Sequence, residues 1–242
     1  AIMERYKDVV YAWDVVNEPM SDNENYMLKS AKTEAGANDN FYWQDYLGDN
    51  YVREIVKSAR KYFEEYGGDI NGLKLFVNEY GLEKPGNEKC RRLLQMIKQW
   101  EDDGITQIDG IGTAMHVTYS FDLVQQAENE AGVVAMFNLL KETGKLVRIS
   151  ELEMNVTDKN GQELTAGNLT FVQRLAMGEY YNFIIQKYFE IIPAAQCCGI
   201  THWNPMDTLA GLWNGSSKRN PTYIGFADGL AGKTVVSETD NN

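Results

Sequence analysis

Histidine is scarce in this chain, with two among 242 residues, and cysteine barely less so, with three. A zinc centre needs three or four ligands. Neither His116 nor His202 lies in an HExxH pair or beside a cysteine pair, so no metal and no cofactor is expected. Cys197 and Cys198 are adjacent in an apolar run and Cys90 falls on a helical face. That arrangement offers no disulfide framework and reads as small buried hydrophobes. Basic residues are outnumbered, 23 Lys and Arg against 35 Asp and Glu, for a net charge of −12. Nucleic acid and anionic membrane surfaces both demand a basic face, so neither is expected as a partner. No apolar run approaches the roughly 18 residues of a membrane span. The opening AIMERYKDVVYAW passes from a charged helical turn into a strand, which is not the pattern of a signal peptide. GxGxxG, GxxxxGK[ST] and GxSxG are also missing, which removes the usual nucleotide-binding and serine-hydrolase readings.

What is present is a hydrophobic period that switches repeatedly. Strand-like runs occur at Val9–Val16, Leu73–Asn78, Ile108–Val117, Lys145–Ile149 and Cys198–Trp203. Helical faces lie between them: Val52, Ile55, Val56, Ala59 and Phe63; Cys90, Leu93, Leu94 and Ile97; Val133, Phe137 and Leu140; and Val172, Leu175, Ala176, Phe183 and Ile184. Strands alternating with helices describe serial βα units, hence an α/β fold with a parallel sheet. Ligands in such folds gather beyond the carboxyl ends of the strands. Glu18, Tyr80, His116, Glu151 and Trp203 all fall there. No linker divides residues 1–242, so one domain is expected. The polar stretch Ser21–Asn40 is a long loop after the first strand, and long loops often carry function.

Two of these strands end on a carboxylate. WDVVNEP, Trp13 to Pro19, delivers Asn17-Glu18, and LVRISELEM, Leu146 to Met154, delivers Glu151. By alternation Val147, Ile149, Glu151 and Glu153 share a face, and Ser150 points the other way. Two carboxylates on one face are costly unless partnered. Cleavage of a glycosidic bond needs two carboxyl groups flanking the anomeric carbon. Aromatics make up 12% of the chain, and flat rings either fill a core or stack on sugars. Trp43, Trp100 and the helical tyrosines read as core; Trp203 and Trp213 read as site walls.

These residues carry a resemblance. WDVVNEP resembles the acid/base strand of family 10 glycoside hydrolases, the retaining endo-β-1,4-xylanases. RISELEM is similar to that family's ITELD strand, LFVNEYG to LFINDYN, DGIGTAMHV to DGIGMQSH, and GITHWNPMDTLAGLW to GITVWGVTD…SW. FYWQDYLGDNYVREIVKSARKYF follows its W…LG…Y…A…A helix. The motifs keep the family's order from about Tyr6 to Tyr223.

The resemblance implies a (β/α)8 TIM barrel, of which this chain supplies about strands 4 to 8, the carboxyl-terminal part of one catalytic domain. It implies hydrolysis of internal bonds in xylan or xylo-oligosaccharides. Glu18 would be the general acid/base and Glu151 the nucleophile. Asn17 would bind the 2-hydroxyl of the reacting sugar, and Tyr80 would lie beside that sugar. His116 would bind the nucleophile and be braced by Glu153, while Trp203 and Trp213 form aromatic walls. Ala114 replaces the family's glutamine, Glu153 is one methylene longer than its aspartate, and His202-Trp203-Asn204 replaces Val-Trp-Gly. The alternatives are another retaining β-1,4-glycanase, or a xylan-binding protein that has lost turnover. A polymeric substrate implies a secreted, periplasmic or cell-surface location. An eight-stranded sheet further implies that the amino-terminal part of the same barrel comes from another chain or segment.

Overall fold

The computed structural model describes residues 1–23, 25–34, 40–206 and 209–233. Each strand-like run becomes a parallel strand: β1 Ala12–Asn17, β2 Lys74–Tyr80, β3 Gly110–Ser120, β4 Leu146–Thr157 and β5 Cys197–His202. They form one sheet in the order β1-β2-β3-β4-β5, every pair parallel. Four long helices connect them: α3 Tyr51–Glu65, α4 Glu88–Glu101, α5 Leu123–Lys141 and α6 Phe171–Ile191. Shorter helices add α1 Ile2–Tyr6, α2 Trp43–Leu47 and α7 Pro221–Leu230. The expected α/β class and parallel sheet hold: five consecutive βα units of a (β/α)8 barrel, with β1 and β5 at the sheet edges.

The apolar stripes seen in the sequence bury as the period requires. Val52, Val56, Ala59 and Phe63 of α3, Cys90, Leu93 and Ile97 of α4, and Val133, Phe137 and Leu140 of α5 all enter one core with Leu75, Val77, Ile111, Val147 and Ile149 of the strands. Burying a side chain of this size contributes about 1.5–3 kcal/mol. Helix starts follow local chemistry. Asp122 accepts the Val124 and Gln125 N–H groups at the start of α5, and Thr170 with Gln173 forms a capping box at the start of α6.

Several boundaries differ from expectation. Val9 and Tyr11 are exposed, and β1 starts only at Ala12, because a turn occupies residues 7–9. Val172 was expected on the core face of α6 but is exposed, as is its neighbour Phe171 in the first turn of that helix. Cys90 is fully buried, whereas Cys197 and Cys198 are only partly so, because β5 is an edge strand.

The alternation expected for β4 also fails. The β3–β4 ladder pairs Thr113 with Ile149 but Ala114 with Glu151, so Ser150 is an extra residue in β4. Such a bulge places two consecutive side chains on one face and re-aims those that follow. Val147 and Ile149 pack into the helix layer, while Glu151 and Glu153 turn to the opposite, inner face. Ser150 lies on that inner face too, not opposite it: its Oγ meets Asn78, as does Glu151.

Candidate active site

The inner face at the carboxyl ends of the strands carries a hydrogen-bonded carboxylate. His116 of β3 and Glu153 of β4 are register partners, so their side chains rise together. His116 Nε2 lies 2.9 Å from Glu151 Oε2, and Nδ1 lies 3.0 Å from Glu153 Oε2. Glu153 therefore reaches the ring despite its extra methylene. Burial alone would lower the His116 pKa, but the hydrogen bonds and charges of Glu151 and Glu153 outweigh it and hold the ring's pKa above its ordinary value.

Asn78 of β2 joins the two glutamate-bearing strands. Its Nδ2 donates to Asn17 Oδ1 at 2.8 Å and reaches Glu151 Oε1 at 3.5 Å, while its Oδ1 accepts from Ser150 Oγ at 2.5 Å. Space for this amide exists because residue 112 is glycine: a Cβ there would stand 2.4 Å from Asn78 Oδ1. Asn78 was not singled out from the sequence, although it stands inside LFVNEYG. Its polarity directly after the apolar run Leu75–Val77 was the available signal.

Glu18 follows Asn17 in a left-handed conformation, with φ of +47°. That is a strained backbone for a residue with a Cβ, and it persists only where the surroundings over-determine it. Here the Glu18 N–H donates to Asn78 O at 2.8 Å, and the Met20 N–H donates to Glu79 Oε2 at 2.9 Å. Glu79 is fully buried and meets Lys89 Nζ of α4 at 3.0 Å. Lys89 also binds Asp22 at 2.8 Å and lies 3.4 Å from the centre of the Tyr80 ring. The Tyr80 hydroxyl donates to Asp22 Oδ2 at 2.6 Å. Burial would raise Asp22, but the Lys89 and Tyr80 hydrogen bonds win and lower it. Burial raises Glu79, with Lys89 and the Met20 and Tyr80 N–H groups opposing.

The tryptophans divide. Trp203 is exposed and stands edge-on to His116, with ring centres 6.0 Å apart. Trp213 lies farther along the same loop, edge-on to Tyr223 of α7 at 5.3 Å. His202, by contrast, packs between Tyr181 and Phe226 in the helix layer, at 5.5 Å from each. Trp43 was expected in the core, yet it is exposed. With Phe41 and Lys29 it lines a groove of about 220 Å³ that also contains Asn17 and Glu18. Ala114 is fully buried opposite Glu151 in the ladder, so no side-chain amide reaches the carboxylate from that position. Below the site, Arg148 pairs with Asp14 over the Phe76 ring. Burial raises the Asp14 carboxyl against the pull of Arg148, and the charge of Glu151 adds to the rise. Among the described residues no group of three or more His, Cys, Asp or Glu is disposed to hold a metal ion, and no helix is long and apolar enough to cross a membrane.

The sequence model of glycosyl hydrolase family 10 matches residues 1–230. This chain belongs to glycosyl hydrolase family 10. Among family 10 relatives, endo-1,4-beta-xylanase A of Caldicellulosiruptor saccharolyticus is 34% identical over 156 residues, 64% of this chain and 38% of that protein. Endo-beta-1,4-xylanase Xyn10C of Cellvibrio japonicus is 25% identical across 96% of this chain and 38% of its own length. The solved Xylanase10C of Cellvibrio japonicus in complex with xylopentaose superimposes with a TM-score of 0.74 at 22% identity, covering 96% of this chain and 46% of that one. Penicillium canescens endo-1,4-beta-xylanase XylE gives 0.72 at 24% identity, covering 96% and 64%. The chain thus spans well under two thirds of the curated relatives' length, and the likeness to the solved structures concerns the barrel fold.

Proposed function

We propose that this chain carries the catalytic carboxylates of a retaining endo-β-1,4-xylanase, with Glu18 as general acid and base and Glu151 as nucleophile. Glu18 gives its proton to the glycosidic oxygen while a Glu151 oxygen attacks the anomeric carbon. The carbon–oxygen bond to the leaving sugar breaks and a glycosyl ester forms on Glu151. Glu18 then takes a proton from water, whose oxygen displaces Glu151 at the same carbon, so the configuration is retained overall.

The observation that carries this reading is the restraint on Glu151. One carboxylate oxygen faces His116 and the other faces Asn78, which also holds Asn17, the neighbour of Glu18. A nucleophile held in one orientation gains the advantage of proximity that a freely rotating surface glutamate lacks. The exposed Trp203 ring beside His116 suits the apolar face of a neutral sugar, and the names of the relatives supply xylan as the polymer. A substrate of that size acts outside the cell, so the same reading includes a secreted, periplasmic or surface location. Among the described residues no further strand pairs with the outer edges of β1 and β5, and the reading includes further strands, from the same or another polypeptide, that close the barrel.

Ala114, with no amide to offer Glu151, favours a second reading: xylan binding without turnover. The stereochemistry of hydrolysis separates the two. An aryl β-xylobioside incubated with the longest polypeptide that carries this chain should release the β-anomer first, followed in real time by proton NMR. Initial α-anomer would exclude the double displacement; binding of xylan without hydrolysis would establish the second reading.

A further inference from the structure

Glu83 lies in the motif LFVNEYGLE, four residues beyond Glu79, on the loop between β2 and α4. Its carboxyl is more than nine-tenths buried, and Oε2 has no hydrogen-bond partner among the described residues. The side chain lines a cavity of about 80 Å³ whose walls include His116 and Thr118 of β3, Asn129 of α5 and Tyr180 of α6. That volume holds two or three waters at roughly 30 Å³ each. The loop is clamped: Asn87 Nδ2 donates to both Leu82 O and Gly132 O at 2.9 Å. Helix α5 approaches so closely that a Cβ on Gly132 would stand 2.2 Å from Glu83 O. Such packing fixes a buried acid with one carboxyl oxygen unpartnered where an apolar side chain would cost less.

We propose that Glu83 is a positioning residue of the active site: as a carboxylate on the wall of the cavity that His116 also lines, it holds His116 in the doubly protonated form that faces both Glu151 and Glu153. This rests on the reading of Glu151 as the nucleophile. The groups facing Glu83 are Lys84 on its own loop, Lys89 and Cys90 on α4, His116 on β3, and Tyr180 on α6 with Glu130 of α5 beyond it. Burial pushes Glu83 up to about 7, against its own backbone N–H and the charges of Lys84, His116 and Lys89. Burial likewise keeps the Cys90 thiol and the Tyr180 hydroxyl neutral across the working range. His116 is therefore the titrating partner of Glu83. As pH rises through neutrality Glu83 gains a negative charge, which opposes loss of the His116 proton and extends the range over which an imidazolium meets Glu151.

Histidine titration by nitrogen-15 NMR reads this without any turnover. Glu83→Gln should lower the His116 titration midpoint by about half to one pH unit, and Glu83→Asp should restore much of it. Coupling between two titrating groups is reciprocal, so His116→Asn should raise the Glu83 carboxyl midpoint, followed by carbon-13, by a similar amount. This second measurement stands even if Glu83→Gln does not fold. An unmoved His116 in a folded Glu83→Gln protein, or an unmoved Glu83 in His116→Asn, would overturn the proposal. Absence of xylan hydrolysis in the unaltered protein would instead bear on the function alone and leave both titrations readable.

Discussion

Glu79 Oε2 accepts the backbone N–H of Met20 at 2.9 Å, and so ties the end of the strand that carries Tyr80 to the turn that carries Glu18. The contact spans 59 positions of sequence. It ends on a fully buried carboxyl whose countercharge, Lys89, is itself almost fully buried. The strained backbone of Glu18 is thus held from the helix layer, behind the sheet.

Removing that countercharge should be expensive. Lys89→Met leaves Glu79 buried and unpaired, and breaking such a pair costs about 3–5 kcal/mol. The double variant Lys89→Met with Glu79→Gln should recover part of the loss, because no charge is then stranded. Urea unfolding of the four proteins measures this. A Lys89→Met protein within about 0.5 kcal/mol of the parent would show that the pair is not coupled to the fold.

The two glutamates should separate in their kinetics. On the proposed roles, Glu151→Ala removes the carboxylate that would form the glycosyl ester and should abolish turnover of every substrate. Glu18→Ala should still permit the first step when the leaving group is an activated phenol that needs no proton. Added azide should then rescue the second step and yield a β-glycosyl azide. Identical behaviour of both variants on an aryl glycoside would reverse or remove the assigned roles.

The brace on His116 should be visible as a pH-dependent stability. The folded protein holds the His116 pKa above its unfolded value. The contribution is therefore fully present below about pH 6.5, the unfolded value, and is lost as pH rises through the folded pKa. Glu153→Gln removes one of the two carboxylates and should narrow that shift. The gap in Tm between parent and Glu153→Gln should be widest in mild acid and close toward alkaline pH. A gap that widens with pH would contradict the assignment.

Trp203 should act on substrate and not on the fold. Its ring is exposed, so Trp203→Ala should leave Tm nearly unchanged while kcat/KM on xylan falls about two- to twelvefold, the equivalent of roughly 0.5–1.5 kcal/mol for an aromatic contact. Unaltered kinetics would mean that the ring does not stack on sugar.

The chain alone was sufficient for the element order. Switches between a period of two and one of 3.6 depend only on neighbours a few residues away, so the five strands and four long helices were readable, as was Glu18 just past the end of β1; β4, by contrast, does not end on Glu151 but runs on to Thr157. The same locality explains the failures. Strict alternation put Glu151 with Val147 and Ile149 and turned Ser150 away, because a bulge is decided by the register of β4 against β3 and leaves no local mark. Helical spacing sent Trp43 to the core, whereas exposure depends on what the loop after β1 meets.

Asn78 shows the division most plainly. Its partners Asn17 and Glu151 lie 61 and 73 positions away, and it reaches both only because the parallel register sets their strands side by side and Gly112 leaves the space. Sequence by itself determined which residue types end each strand, since backbone propensity and apolar period act over a few residues. The tertiary structure alone decided which of those side chains share hydrogen bonds, because a bond between strands exists only once register, bulge and close packing have been chosen together.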